Sequence, residues 1–141
     1  MKKTLKTLLT AIAIAIATIA LTLNSCGNIA TQQNTRAMSP SEVVVSFNES
    51  ISNLDFETLE SIIYIPEYAG VTLAEYMEDI RAFITQAVQQ GVWTGITSTE
   101  IIREEISNCG NRATVFFRRD GVSDVAQLIL IDGQWKAYAE F

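Results

Sequence analysis

Residues 112–141 read RATVFFRRDGVSDVAQLILIDGQWKAYAEF, and the two Asp-Gly pairs in this stretch decide the fold. Asp120-Gly121 and Asp132-Gly133 each separate two runs rich in β-branched and aromatic residues. That is the pattern of a two-residue hairpin turn in which both central residues take positive φ. Arg112–Arg119, Val122–Ile131 and Gln134–Phe141 therefore read as consecutive antiparallel strands. A fourth, about Thr97–Ser107, precedes them across the turn Asn108–Asn111. In the last strand Trp135, Ala137, Ala139 and Phe141 share one face, and Lys136, Tyr138 and Glu140 share the other. The face with two alanines suits close packing against a helix.

Upstream of Gly95 the period is helical. Ser39 is a good N-cap, Pro40 fits the first helical position, and Glu42 completes a capping box. Val44, Phe47, Ile51 and Leu54 then recur at spacings of three and four. Asp55 caps a shorter helix with apolar positions Phe56, Leu59, Ile62 and Ile63, ended by Ile65-Pro66 because a residue before proline is pushed out of the α region. Thr72 and Glu75 form another capping box. Leu73, Tyr76, Met77, Ile80, Phe83, Ile84, Ala87 and Val88 stripe the third and longest helix, and Gly91 stops it. The expectation is an α+β domain over residues 39–141, with three N-terminal helices packed on a curved four-stranded antiparallel sheet.

The first residues have a different character. Lys2, Lys3 and Lys6 precede an apolar run from Leu8 to Leu23, interrupted only by Thr10, Thr18 and Thr22. The run is shorter than the roughly 20 residues a spanning helix needs, and it has the order of a secretory signal. It ends in Leu23-Asn24-Ser25-Cys26, which resembles the bacterial lipoprotein signal. That resemblance implies cleavage of residues 1–25 and a thioether-linked diacylglycerol on Cys26, with two or more acyl chains giving stable membrane anchoring. Residues 26–38 are small and polar and read as a flexible tether. Gly27 stands where an inner-membrane retention signal usually places Asp, and residues 28–38 hold no acidic cluster. By resemblance these point to an outer-membrane lipoprotein of the cell envelope facing the periplasm.

Composition narrows the chemistry. Removing the first 25 of 141 residues leaves 116, enough for one core. All ten basic residues but seven go with the leader, against sixteen acidic ones retained. The resulting charge, near −9, excludes nucleic acid as a partner. There is no histidine, which removes Ser-His-Asp and Cys-His catalysis and imidazole-based zinc sites. No phosphate-cradling glycine motif occurs, and no cofactor or metal is expected. With a lipid on Cys26 the chain would form no intramolecular disulfide. Cys109, in Asn108-Cys109-Gly110-Asn111, reads as a turn residue.

Three helices followed by a curved sheet resembles the cone-shaped superfamily typified by nuclear transport factor 2, and within it a bacterial lipoprotein branch of unknown function. The carrying residues are Ser39-Pro40-Ser41-Glu42-Val43-Val44 with Phe47, then Asn53-Leu54-Asp55-Phe56-Glu57, Arg112-Ala113-Thr114-Val115, and Ile131-Asp132-Gly133-Gln134-Trp135-Lys136. The resemblance implies an apolar cavity inside the cone, and a pocket of that kind suits a small molecule or a peptide. Phe83, Trp93, Phe116, Phe117, Trp135, Tyr138 and Asp124 are the candidate lining. Relatives that are isomerases use a cavity carboxylate with tyrosine donors. Asp124 is the best mid-strand carboxylate for such a role, with Tyr64, Tyr76 or Tyr138 as donors.

Three functions follow in order of preference. The first is a non-enzymatic binding module, tethered to the membrane through Cys26, that holds a small apolar ligand or a peptide. The second is an assembly partner of another envelope protein through the sheet face. Val125, Ile129 and Ile131 oppose Ala126, Leu128 and Leu130, so both faces of that strand are apolar and something must cover the second, a homodimer partner included. The third is an enzyme using Asp124 and a tyrosine.

Overall fold

The computed structural model describes residues 37–139. The leader, Cys26, most of the tether and the last two residues lie outside that range. The chain runs α1 (Pro40–Asn53), α2 (Phe56–Ile62), β1 (Ile63–Tyr64), a 3₁₀ turn (Glu67–Ala69), α3 (Leu73–Gln89), β2 (Thr99–Ile106), β3 (Arg112–Arg119), β4 (Val122–Ile131) and β5 (Gln134–Tyr138). These are the three expected helices and the four expected antiparallel strands, with one addition.

The addition corrects the sheet. It has five strands in the order β1-β5-β4-β3-β2 and is mixed, because β1 pairs in parallel with β5 through Ile63↔Ala137 and Tyr64↔Tyr138. Ile63 continues the apolar helical period, yet it already has extended backbone (φ −95°, ψ 143°). Pro66 disfavours the α region at Ile65, and Ile-Tyr-Ile is a β-favouring run, so the chain leaves the helix early and finds the edge of β5.

Local chemistry explains the other boundaries. Ser39 accepts from the Glu42 N–H while its own N–H donates to Glu42 Oε2 at 2.7 Å, the reciprocal box that fixes the start of α1. Glu104 of β2 reinforces it, accepting from the Ser41 N–H at 2.9 Å and the Ser41 hydroxyl at 2.6 Å. Ser39→Ala should therefore lower stability by about 1 kcal/mol, read as a lower urea midpoint at unchanged slope. β2 starts two residues later than the alternation suggests. The Thr97 and Ser98 N–H groups donate to the Asp120 carboxylate at 2.8 and 2.9 Å instead of to a neighbouring strand. The Thr97 hydroxyl donates to the same oxygen, and these bonds hold the Asp120 carboxyl below the usual carboxylate range.

Both hairpins have the expected turns, with φ 50° and 82° at Asp120-Gly121 and 50° and 76° at Asp132-Gly133. In the third turn Cys109 is disulfide-bonded. This corrects the expectation of no intramolecular disulfide; the chain's other cysteine is Cys26, outside the described residues.

Two apolar clusters hold the fold. Val43, Val44 and Ile62 pack on the inner sheet face against Ala113, Val115, Phe117 and Leu128. Leu59, Ile63 and Met77 join the helices to one another, with Phe56, Leu73 and Ile80 around them. Phe47 touches both. The inner face, where a cone would enclose a cavity, is occupied by these side chains: Val43 and Val115 are fully buried and Leu128 is 1% exposed.

Candidate functional site

Strand register sorts the expected lining residues onto different surfaces. Phe117 pairs with Asp124 and Leu128 with Ala137, so Phe117, Asp124, Arg119 and Trp135 point to the inner face. Phe117 is buried, and Trp135 packs beside the first cluster. Phe116 and Tyr138 point to the outer face. The Arg103 guanidinium lies 3.9 Å from the Phe116 ring centroid, which shields the ring from water. Phe83 is half-buried on α3, and Trp93 is half-buried in the segment after it. The seven residues do not converge on one site.

Asp124 is not arranged as a base beside a tyrosine. Its Oδ2 is 2.6 Å from Arg119, and its Oδ1 accepts from the Val125 N–H at 2.9 Å. Tyr64 and Tyr138 lie on the opposite side of the sheet. Near this inner pair the buried Asn48 donates to the Thr99 hydroxyl at 3.0 Å, while its own side-chain oxygen has no partner. Among the described residues no group of three or more His, Cys, Asp or Glu side chains gathers as a metal cage.

A concavity among the described residues lies elsewhere. A cleft of about 570 Å³ opens between the segment from β1 to the start of α3 and the β4–β5 hairpin. Ile63, Ile65, Val71, Leu73 and Ile131 make apolar walls, with Tyr64, Thr72, Glu67 and Lys136 as polar groups. None of the seven expected residues lines it. The wall is built by Pro66 and Gly70, which bracket the 3₁₀ turn, and by Thr72, whose N–H and hydroxyl both donate to Glu75 Oε2 at 2.8 Å. Lys136 Nζ donates to the Ser61 carbonyl at 2.6 Å, satisfying an acceptor at the end of α2.

Tyrosines border this cleft on the outer sheet face. Tyr64 and Tyr138 have ring centroids 5.7 Å apart, and the exposed Tyr68 hydrogen-bonds its hydroxyl to that of Tyr138. Arg112 lies 5.8 Å from the Tyr138 ring centroid. Burial, and then the Tyr68 contact, push the Tyr138 hydroxyl up to about 12. Tyr76 is also raised, by burial within the helical cluster. A raised phenol contributes stability that is complete below the unfolded value near 10 and is lost as pH climbs through the folded value. The wild-type phenolate titration should thus show a late-ionising tyrosine near pH 12, and Tyr138→Phe should remove that step.

The described chain is thus an α+β unit of three helices on a five-stranded mixed sheet, with its cleft at the β1–β5 margin. No protein-family model and no curated protein matches it. Among solved structures it is similar to a Campylobacter jejuni chain, provisionally assigned as an NTF2-like transpeptidase. The two are 16% identical, the match covers 72% of this chain and 100% of that one, and the TM-score is 0.49.

Proposed function

We propose that this is a non-enzymatic binding module of the cell envelope, built on a cone-type fold and tethered to the membrane by lipid on Cys26, a thioether that would stand in place of the disulfide the structure has at Cys109. It holds a small molecule or short peptide in the cleft at Tyr64 and Lys136. The observation carrying the reading is the contrast between the two faces. The inner face is packed with side chains, whereas the margin offers a concavity of about 570 Å³ with mostly apolar walls and a few polar groups. Its volume lies in the range of ligand sites, and it is a groove open to solvent along one side. The non-enzymatic part rests on the absence of histidine and on Asp124 having both oxygens engaged away from any tyrosine hydroxyl.

Native mass spectrometry of protein isolated from its own envelope tests the site. A retained small molecule is expected in the wild type, and its loss in Val71→Trp, which fills the cleft. Retention unchanged in Val71→Trp, or a wild type with nothing bound, would contradict it.

A second reading is favoured by one observation: Val125, Ile129 and Ile131 on the outer face are only half-buried. There another envelope protein or a second copy of the chain would dock. Sedimentation as a monomer at high concentration would remove the homodimer form of this reading.

A further inference from the structure

We infer that the cleft selects an anion: a carboxylate carried on an apolar body, with Lys136 as the charged contact in its lining and Arg112, outside the lining on the same sheet face, adding positive charge beside it. This rests on the cleft reading above and adds the chemical class of its ligand. The sequence has sixteen acidic residues to ten basic ones, so a cation meets a carboxylate easily, and three of the six described cations do. Arg103 is 3.3 Å from Glu105, Arg118 is 3.4 Å from Glu100, and Arg119 is 2.6 Å from Asp124. Arg81 stacks on Phe56 at 4.8 Å. Among the described residues, Arg81, Arg112 and Lys136 have no carboxylate within 4.0 Å, and of these three Lys136 lines the cleft.

Arg112 and Lys136 are also neighbours. Lys136 pairs with Ile129, and Ile129 pairs with Arg112. They stand on the same outer face, in one cross-strand row, with backbones about 10 Å apart. Lys136 lines the cleft and uses one of its three N–H donors on the Ser61 carbonyl, which leaves two for a ligand. Arg112 approaches the ring of Tyr138, whose neighbour Tyr64 also lines the cleft. The apolar body has its place against Ile63, Ile65, Val71 and Ile131. Glu67, on the opposing loop, is the one carboxylate in the lining, so it repels an anion seated too far from Lys136.

Octanoate and 1-octanol share an apolar body and differ in charge, so they serve as probes. The protein is the chain from residue 26 with Cys26→Ser, which removes both the lipid site and a disulfide partner for Cys109 while changing no residue of either apolar cluster, and binding is read by NMR shifts at Tyr64 and Ile131. Octanoate should bind about tenfold tighter than octanol, with the advantage shrinking as salt rises. Lys136→Gln and Arg112→Gln should each weaken octanoate about fivefold and leave octanol unchanged. Glu67→Gln should tighten octanoate. Equal binding of both probes, with no response to the two cation variants, would overturn the anion inference and spare the cleft. Binding of neither would remove both. If Lys136→Gln also weakens octanol, loss of its bond to Ser61 has disturbed the wall. Arg112→Gln, which holds no helix carbonyl, then decides.

Discussion

Leu128→Ala is expected to lower the free energy of unfolding by about 2–5 kcal/mol, in the upper half of that range. Leu128 is 1% exposed on the inner face of β4, and its cross-strand partners are Ala113 and Ala137. It is the large side chain in a row with two small neighbours, within the cluster that includes Val43 and Val44 of α1. Removing it would leave three alanines in one row, held apart by hairpins with rigid two-residue turns, so collapse around the void is restricted. A domain of this size has about 5–15 kcal/mol in total, and the variant should be near the edge of folding at room temperature. Urea unfolding should show a large fall in midpoint with little change in slope. A loss below about 1 kcal/mol would mean that the inner face holds a collapsible or hydrated space and not the packed layer described above.

Cys26→Ser is expected to move the protein from the membrane fraction to the soluble fraction nearly completely. Two or more acyl chains give stable anchoring, whereas a chain with none has only its surface to hold it. That surface is acidic, and no described helix is long and apolar enough to cross a membrane. A serine variant that still sediments with envelopes after leader removal would show that some other surface does the anchoring.

What could be read from the sequence was local. Ser39 with Glu42 and Thr72 with Glu75 are three residues apart, and both boxes form as expected. The Asp-Gly pairs fix their hairpins through their own backbone preferences, so Arg112–Arg119 and Val122–Ile131 begin and end where the alternation places them. The readings that failed, or were never made, depend on pairs far apart in sequence. Ile63 and Tyr64 look like the last turn of a helix until the edge of β5, more than seventy residues on, accepts them as a strand. Glu104 on Ser41 and Asp120 on Thr97 carry no local signature.

The same distinction governs the site. Aromatic residues in the strands were legible as candidates, but which face each occupies depends on register, and register separates Phe116 from Phe117 and Tyr138 from Trp135. The cleft joins the loop around Pro66 to a strand at Lys136. Pro66 and Gly70 signalled a loop, and Lys136 an outward-facing charge, yet nothing in either segment signals that they meet. Leu54 is a smaller instance: it takes φ 59° at the end of α1, a conformation usually left to glycine, where the helical period alone makes it another apolar position.

The most direct measurement is the mass of the N-terminal peptide of the mature protein, isolated from its native envelope without reductant. A lipid-anchored module requires a peptide beginning at Cys26, heavier by a diacylglyceryl thioether, with Cys109 recovered on a separate peptide. A thioether and a disulfide cannot share one sulfur. Cys26 recovered without lipid and bridged to Cys109, or still joined to its leader, would contradict the anchored binding module.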